Sequence, residues 1–95
     1  MAVLVGRCRV EILVCDSRSL KDRRRVLHSL MDQLRQRFNV SVAQLDRGAH
    51  WGRAVLGIAV VANERRFLDR VLAQVVNAIE HDARLSLLSA ETEID

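Results

Sequence analysis

The chain has 95 residues, a net charge of +3, 49% hydrophobic residues and 28% charged ones. That is enough for one domain spanning residues 1–95 with a two-layer core, and the longest apolar stretches are far too short to cross a bilayer. Only Phe38, Trp51 and Phe67 are aromatic, so the core must be aliphatic and an aromatic platform for stacking bases is nearly excluded.

Arginine supplies all but one of the basic residues, Lys21 being the exception. Arginine suits bidentate contacts to phosphate or carboxylate, although coding bias or thermal adaptation produces the same composition. Cys8 and Cys15 are seven positions apart. On a strand that spacing sends them to opposite faces, so they should not pair with each other. Two lone thiols, and a start interrupted by Arg7, Arg9 and Glu11 with no signal-peptide pattern, lead to the expectation of a reducing, cytoplasmic setting.

Val3 to Cys15 reads as a strand, with Cys8, Val10, Ile12 and Val14 on one face and Arg7, Arg9 and Glu11 on the other. Asp16-Ser17-Arg18-Ser19 is a turn. Ser19 with Asp22 three residues later resembles a capping box and opens a helix to about Phe38. Leu20, Leu27, Leu30, Met31, Leu34 and Phe38 share its apolar stripe, Lys21 and Arg25 project from the opposite side, and Arg23 and Arg24 flank the stripe.

Asn39 to Asp46 reads as a second strand, with Val40 and Val42 on one face and Ser41, Ala43 and Leu45 on the other. A glycine-punctuated loop from Asp46 to Gly52 joins it to a third strand, Arg53 to Ala62, apolar on both faces. Asn63 is placed to cap a second helix, Glu64 to about Glu80, with the stripe Leu68, Val71, Leu72, Val75 and Ile79. Arg84 to Ile94 reads as a final strand.

The order β-α-β-β-α-β predicts an α+β fold of ferredoxin-like form, a four-stranded antiparallel sheet with both helices on one face. The bare face would carry Arg7, Arg9 and Glu11 beside Val55, Ala59 and Val61. That mixture is too apolar to leave in water, so a homodimer through the open sheet face is expected.

The feature closest to a function is the helix start. A helix N-terminus carries roughly half a positive elementary charge, so basic side chains there are unfavourable. Arg18, Lys21, Arg23, Arg24 and Arg25 nevertheless cluster at this one. They are the candidate anion- or nucleic-acid-binding residues, with Arg7, Arg9 and Trp51 as an accessory surface. The plainer alternative is a solvated face with Asp16, Asp22, Glu91, Glu93 and Asp95 as counter-charges. For Arg7 and Arg9 it is pairing with Glu11 or burial in an interface, and for Trp51 packing onto a helix end.

No catalytic residue emerges. His28, His50 and His81 lack metal-ligand spacing, the glycines form no phosphate-cradling loop, and no serine has a neighbouring base. No metal and no cofactor are expected.

At Ser19-Leu20-Lys21-Asp22-Arg23-Arg24 the chain resembles the YlxP-like family, small bacterial proteins of unknown function with a Ser-Leu-Lys-Asp-Lys-Arg type of helix start. The resemblance continues through Phe38-Asn39-Val40-Ser41-Val42-Ala43, through Trp51 and Arg53-Ala54, and into Leu56-Gly57-Ile58-Ala59. It implies the ferredoxin-like fold and a loose association with translation, because genes of the family often lie beside those for a translation initiation factor and a ribosome-binding factor. It implies no activity. Where the family usually has an acid after Ser41-Val42-Ala43, this chain has Gln44.

The expected function is therefore a non-enzymatic accessory factor for RNA or the ribosome, holding phosphate through the basic helix start. The alternatives are a dimeric module that senses a small molecule, and a small acyl-phosphate hydrolase acting at the loop of Asp16 and Arg18.

Overall fold

The structure is a computed structural model and describes residues 1–15, 18–46 and 52–95. Strand β1 (Leu4–Val14) leads into helix α1 (Leu20–Arg37). Strands β2 (Ser41–Gln44) and β3 (Arg53–Ala62) follow, then helix α2 (Arg65–Glu80) and strand β4 (Leu85–Ile94). One sheet has the order β2-β3-β1-β4, and every neighbouring pair is antiparallel. This is the predicted ferredoxin-like α+β fold.

The period-two alternation of β1 and β3 decides which side chains meet the helices. Cys8, Val10, Ile12 and Val14 are buried, as are Ala54, Leu56, Ile58 and Val60. The helices complete this core with Leu27, Leu30, Met31 and Leu34 from α1 and Leu68, Leu72, Val75 and Ile79 from α2. Gly6 lies under α2, where a Cβ would stand 3.0 Å from Leu72 Cδ1. The absent side chain is what lets helix and strand approach so closely.

Two local expectations change, and the sheet adds an irregularity that the sequence does not announce. Leu20 is not in the stripe: it is 48% exposed, and burial along α1 begins only at Leu27. The first turn stands clear of the core, which α1 reaches only from Val26 onward, so an apolar residue at position 20 has nothing to pack on. Asn63 does not cap α2. The cap is Glu64, without a side-chain hydrogen bond, because β3 runs on to Ala62 and two residues are needed to turn into the helix. Finally, β1 pairs with β4 through a register shift after Glu11 that leaves Leu88 as an extra, 41% exposed residue.

Both thiols are free, Cys8 buried and Cys15 half-buried. Among the described residues no helix is long and apolar enough to cross a membrane.

Candidate functional site

Ser19 fixes the start of α1. Its Oγ accepts from the Asp22 backbone N–H at 3.1 Å, and its carbonyl accepts from the Arg23 N–H at 3.1 Å. The amides of Leu20 and Lys21 have no protein acceptor among the described residues. They add their partial positive charge to the helix end.

Around this end Arg18, Lys21, Arg24 and Arg25 are exposed, while Arg23 is half-buried and engaged within the protein. Among the described residues no carboxylate forms an ion pair with Arg18, Lys21, Arg24 or Arg25. Five bases and one acid, Asp22, thus share eight consecutive positions. Lys21 and Arg25 are one turn apart on the same face, a like-charged spacing that weakens a helix. Asp16 and Ser17 lie outside the described residues, and so do His50 and Trp51.

The remaining proposed counter-charges are elsewhere. Arg7 Nε lies 3.8 Å from Glu93 Oε2, and the Arg7 guanidinium also pairs with Asp95. Asp95 and Val5 exchange backbone hydrogen bonds at the start of β1, whereas α1 begins beyond its last residue. Glu93 and Asp95 therefore cannot screen the helix start, and Arg7 is paired with them rather than with Glu11. Glu91 faces Arg9 across the β1–β4 ladder. Arg7 and Arg9 lie on the open face of the sheet, so the fold does not bring them to the basic helix start.

That open face is ordered in rows set by the strand register. Ser41, Ala59, Arg7 and Glu93 form one row; Ala43, Gly57, Arg9 and Glu91 form the next. In the third, Leu45 donates its backbone N–H to Val55 O at 2.8 Å, beside Glu11 and Ser89. The β2–β3 half is apolar and the β1–β4 half is charged. Between them lies a shallow hollow of about 460 Å³. Leu45, 57% exposed, leans across its floor, where a Cβ on Gly57 would meet its methyls at 3.1 Å. Sequence reasoning missed this hollow. The signal was there in Ala43 and Leu45 alternating opposite Gly57 and Ala59, but it needs the β2–β3 register to be read.

Burial pushes the Cys8 thiol up from its ordinary range, only partly offset by the Thr92 hydroxyl donating to Sγ at 3.6 Å. A raised thiol is a poor nucleophile at neutral pH. Among the described residues no group of three or more His, Cys, Asp and Glu side chains could hold a metal.

With this geometry in hand, the chain can be compared with known proteins. Residues 5–92 match the family described as "Protein of unknown function (DUF503)". The chain belongs to that family. It is 28% identical over 90 residues to the uncharacterized protein YlxP of Bacillus subtilis (strain 168), covering 95% of this chain and 98% of that protein. Among solved structures it is similar to the de novo designed protein Foldit4, with a TM-score of 0.56 and 14% identity over 99% of this chain and 97% of that one. A second designed protein, Ferredog-Diesel, gives a TM-score of 0.44 at 8% identity, over 96% and 83% of the two chains. The designed Foldit4 protein speaks to the fold alone.

The family resemblance also gives meaning to Gln44. Its Nε2 donates to Asp46 Oδ1 at 3.2 Å, and the same oxygen accepts the Val55 N–H at 3.1 Å. An acid at position 44 would place a second carboxylate there.

Proposed function

We propose that this protein of unknown function is a non-enzymatic RNA-binding accessory factor, holding the phosphate backbone of RNA, free or within the ribosome, through the first two turns of α1. The observation that carries this reading is the exposure of Arg18, Lys21, Arg24 and Arg25 on a helix start that stands off the core, without a carboxylate partner among the described residues. Self-repulsion and the helix dipole both oppose that arrangement. A polyanion reverses the sign of both terms. The translation setting implied by the family resemblance points the same way.

The mode of binding follows from what accompanies the charges. The outward positions of β1 and β3 in the three central rows are Arg7, Arg9, Glu11, Val55, Gly57 and Ala59, where sheet-based readers of single strands present aromatic rings. Contact is then to phosphate, and the bases go unread.

The test is fluorescence anisotropy with RNAs of unrelated sequence over a salt series. Four phosphate contacts give a slope of log K against log salt of roughly −3 for single strands. Affinity should be alike for all sequences and collapse when Arg18, Arg24 and Arg25 are changed to Glu. No binding at low salt, or equal binding by the variant, would sink the reading.

A further inference from the structure

The row pattern of the open sheet face fits one occupant, a second copy of this chain. We propose that two copies pack face to face about a twofold axis that crosses the strands over the Ala43–Gly57–Arg9–Glu91 row.

Charge decides the orientation. The three central rows carry two arginines, Arg7 and Arg9, against three glutamates, Glu11, Glu91 and Glu93. This side of the protein is thus near neutral, unlike the basic chain as a whole. An axis across the strands exchanges the rows on either side of the middle one and lays the middle row on itself, where Arg9 and Glu91, neighbours across the β1–β4 ladder, reach diagonally to the partner's Glu91 and the partner's Arg9. It sets Arg7 opposite the partner's Glu11, and Glu11 opposite the partner's Arg7. Neither Glu11 nor Arg9 has an ion-pair partner within its own chain among the described residues. The same rotation lays the apolar β2–β3 half on its own copy, where the two Leu45 side chains meet beside the axis. Each then fills the part of the hollow over the partner's Ser41 and Ala59.

Other arrangements are worse. An axis along the strands would place Arg7 and Arg9 on the partner's Ala59 and Gly57, burying charge against apolar surface. Joining the open β4 edges antiparallel about Thr92 would bring Glu91 next to the partner's Glu93 twice, and like charges across strands are destabilising. The area is also sufficient. Four strands about 4.8 Å apart and five rows about 6.8 Å apart present roughly 19 × 30 Å, so two copies bury about 1,000 Å² or more together.

The interface lies on the sheet layer away from the helices, so it stands or falls independently of RNA binding. The experiment is sedimentation equilibrium of the full chain up to about millimolar concentration, with circular dichroism to confirm folding. The wild type should dimerise. Arg7→Glu and Glu11→Arg should each weaken the dimer about tenfold or more, since each leaves like charges opposed twice across the axis. Mixed together, the two variants should form a heterodimer at close to wild-type affinity. Glu11→Arg breaks no ion pair within the chain, so its effect remains readable if Arg7→Glu fails to fold. Leu45→Asp, on the apolar half, should also dissociate the dimer. A wild type that stays monomeric overturns the proposal. So does a dimer that survives Glu11→Arg and Leu45→Asp unchanged, because it would use another surface.

Discussion

Asp82 receives three hydrogen bonds from one residue, Arg84. Its Oδ1 accepts from the Arg84 backbone N–H at 2.9 Å and from Nε at 3.0 Å, and its Oδ2 accepts from an Arg84 terminal nitrogen at 2.7 Å. Arg84 in turn donates to Ser29 Oγ at 3.1 Å, and its carbonyl accepts the Cys15 N–H at 2.9 Å. The turn after α2 thereby ties β4 to α1 and to the end of β1. The hydrogen bonds from Arg84 hold the Asp82 carboxyl below its ordinary value. A carboxylate depressed on folding stabilises above its unfolded value of about pH 4, and that contribution is lost as pH falls through the lower folded value. Asp82→Asn should therefore cost about 1 kcal/mol at neutral pH, a figure kept small because Arg84 is partly exposed. Urea titrations from pH 7 downward should show the two proteins converging in strong acid. A gap that stays constant across that range would mean the charge is irrelevant.

Two glycines on the same sheet should respond in opposite ways to alanine. At Gly6 the new Cβ meets Leu72 Cδ1 at 3.0 Å, Val60 Cγ1 at 3.3 Å and Leu68 Cβ at 3.4 Å, all inside the core. Gly6→Ala should destabilise by about 1–3 kcal/mol, as overpacking does. At Gly57 the three nearest atoms are the methyls and Cγ of Leu45, whose exposed side chain can swing aside. Gly57→Ala should be neutral or stabilising by about 0.5 kcal/mol through the unfolded chain. Chemical denaturation of both variants at low protein concentration distinguishes them.

Placing at position 44 the acid that the family resemblance implies should be unfavourable here. In Gln44→Glu the amide that donates to Asp46 becomes a second carboxylate beside it. The Asp46 oxygen that accepts the Val55 N–H is then shared with a repelling neighbour. A loss of about 0.5–1 kcal/mol is expected at neutral pH, of the size found for exposed charge pairs. The repulsion raises the carboxyl values in the folded state, so the penalty is present above them and fades as pH falls through them. Thermal melts at pH 7 and near pH 4 check the sign.

The strands and helices were legible because burial on one side writes a period into the residues. Cys8 to Val14 and Ala54 to Val60 alternate, and Leu27 to Leu34 follow the helix, all for the same reason. Ser19 was legible because its cap bond to Asp22 is local. What failed depended on distance. Leu20 fits the stripe by spacing, and only the tertiary structure shows that the core stops short of it. The partners of Arg7 depend on a β1–β4 register shifted at Leu88, which no local residue announces. The hollow under Leu45 needs two strands in register before it exists. The candidate helix start was visible as charge, but the absence of ion pairs at Arg18, Lys21, Arg24 and Arg25 among the described residues was not, since Glu93 and Asp95 could have reached them in another topology.

The basic helix start should trade stability for binding. In Lys21→Glu a negative charge enters the first turn of α1, where the dipole favours it by about 0.3–1 kcal/mol. It also converts the like-charged Lys21 and Arg25 into a Glu-to-Arg pair one turn apart, worth a further 0.2–0.5 kcal/mol or so. In a domain of this size about 1 kcal/mol raises Tm by roughly 4–8 °C. The variant should melt several degrees higher in low salt, and the gap should narrow as salt screens these exposed charges. RNA affinity should fall in the same protein, with the salt slope reduced by about one contact. A residue kept for packing would behave otherwise, because its loss would lower Tm. Lys21→Glu lowering Tm in low salt would thus assign the cluster to the fold, whereas a higher Tm with weaker binding identifies a charge retained for its ligand.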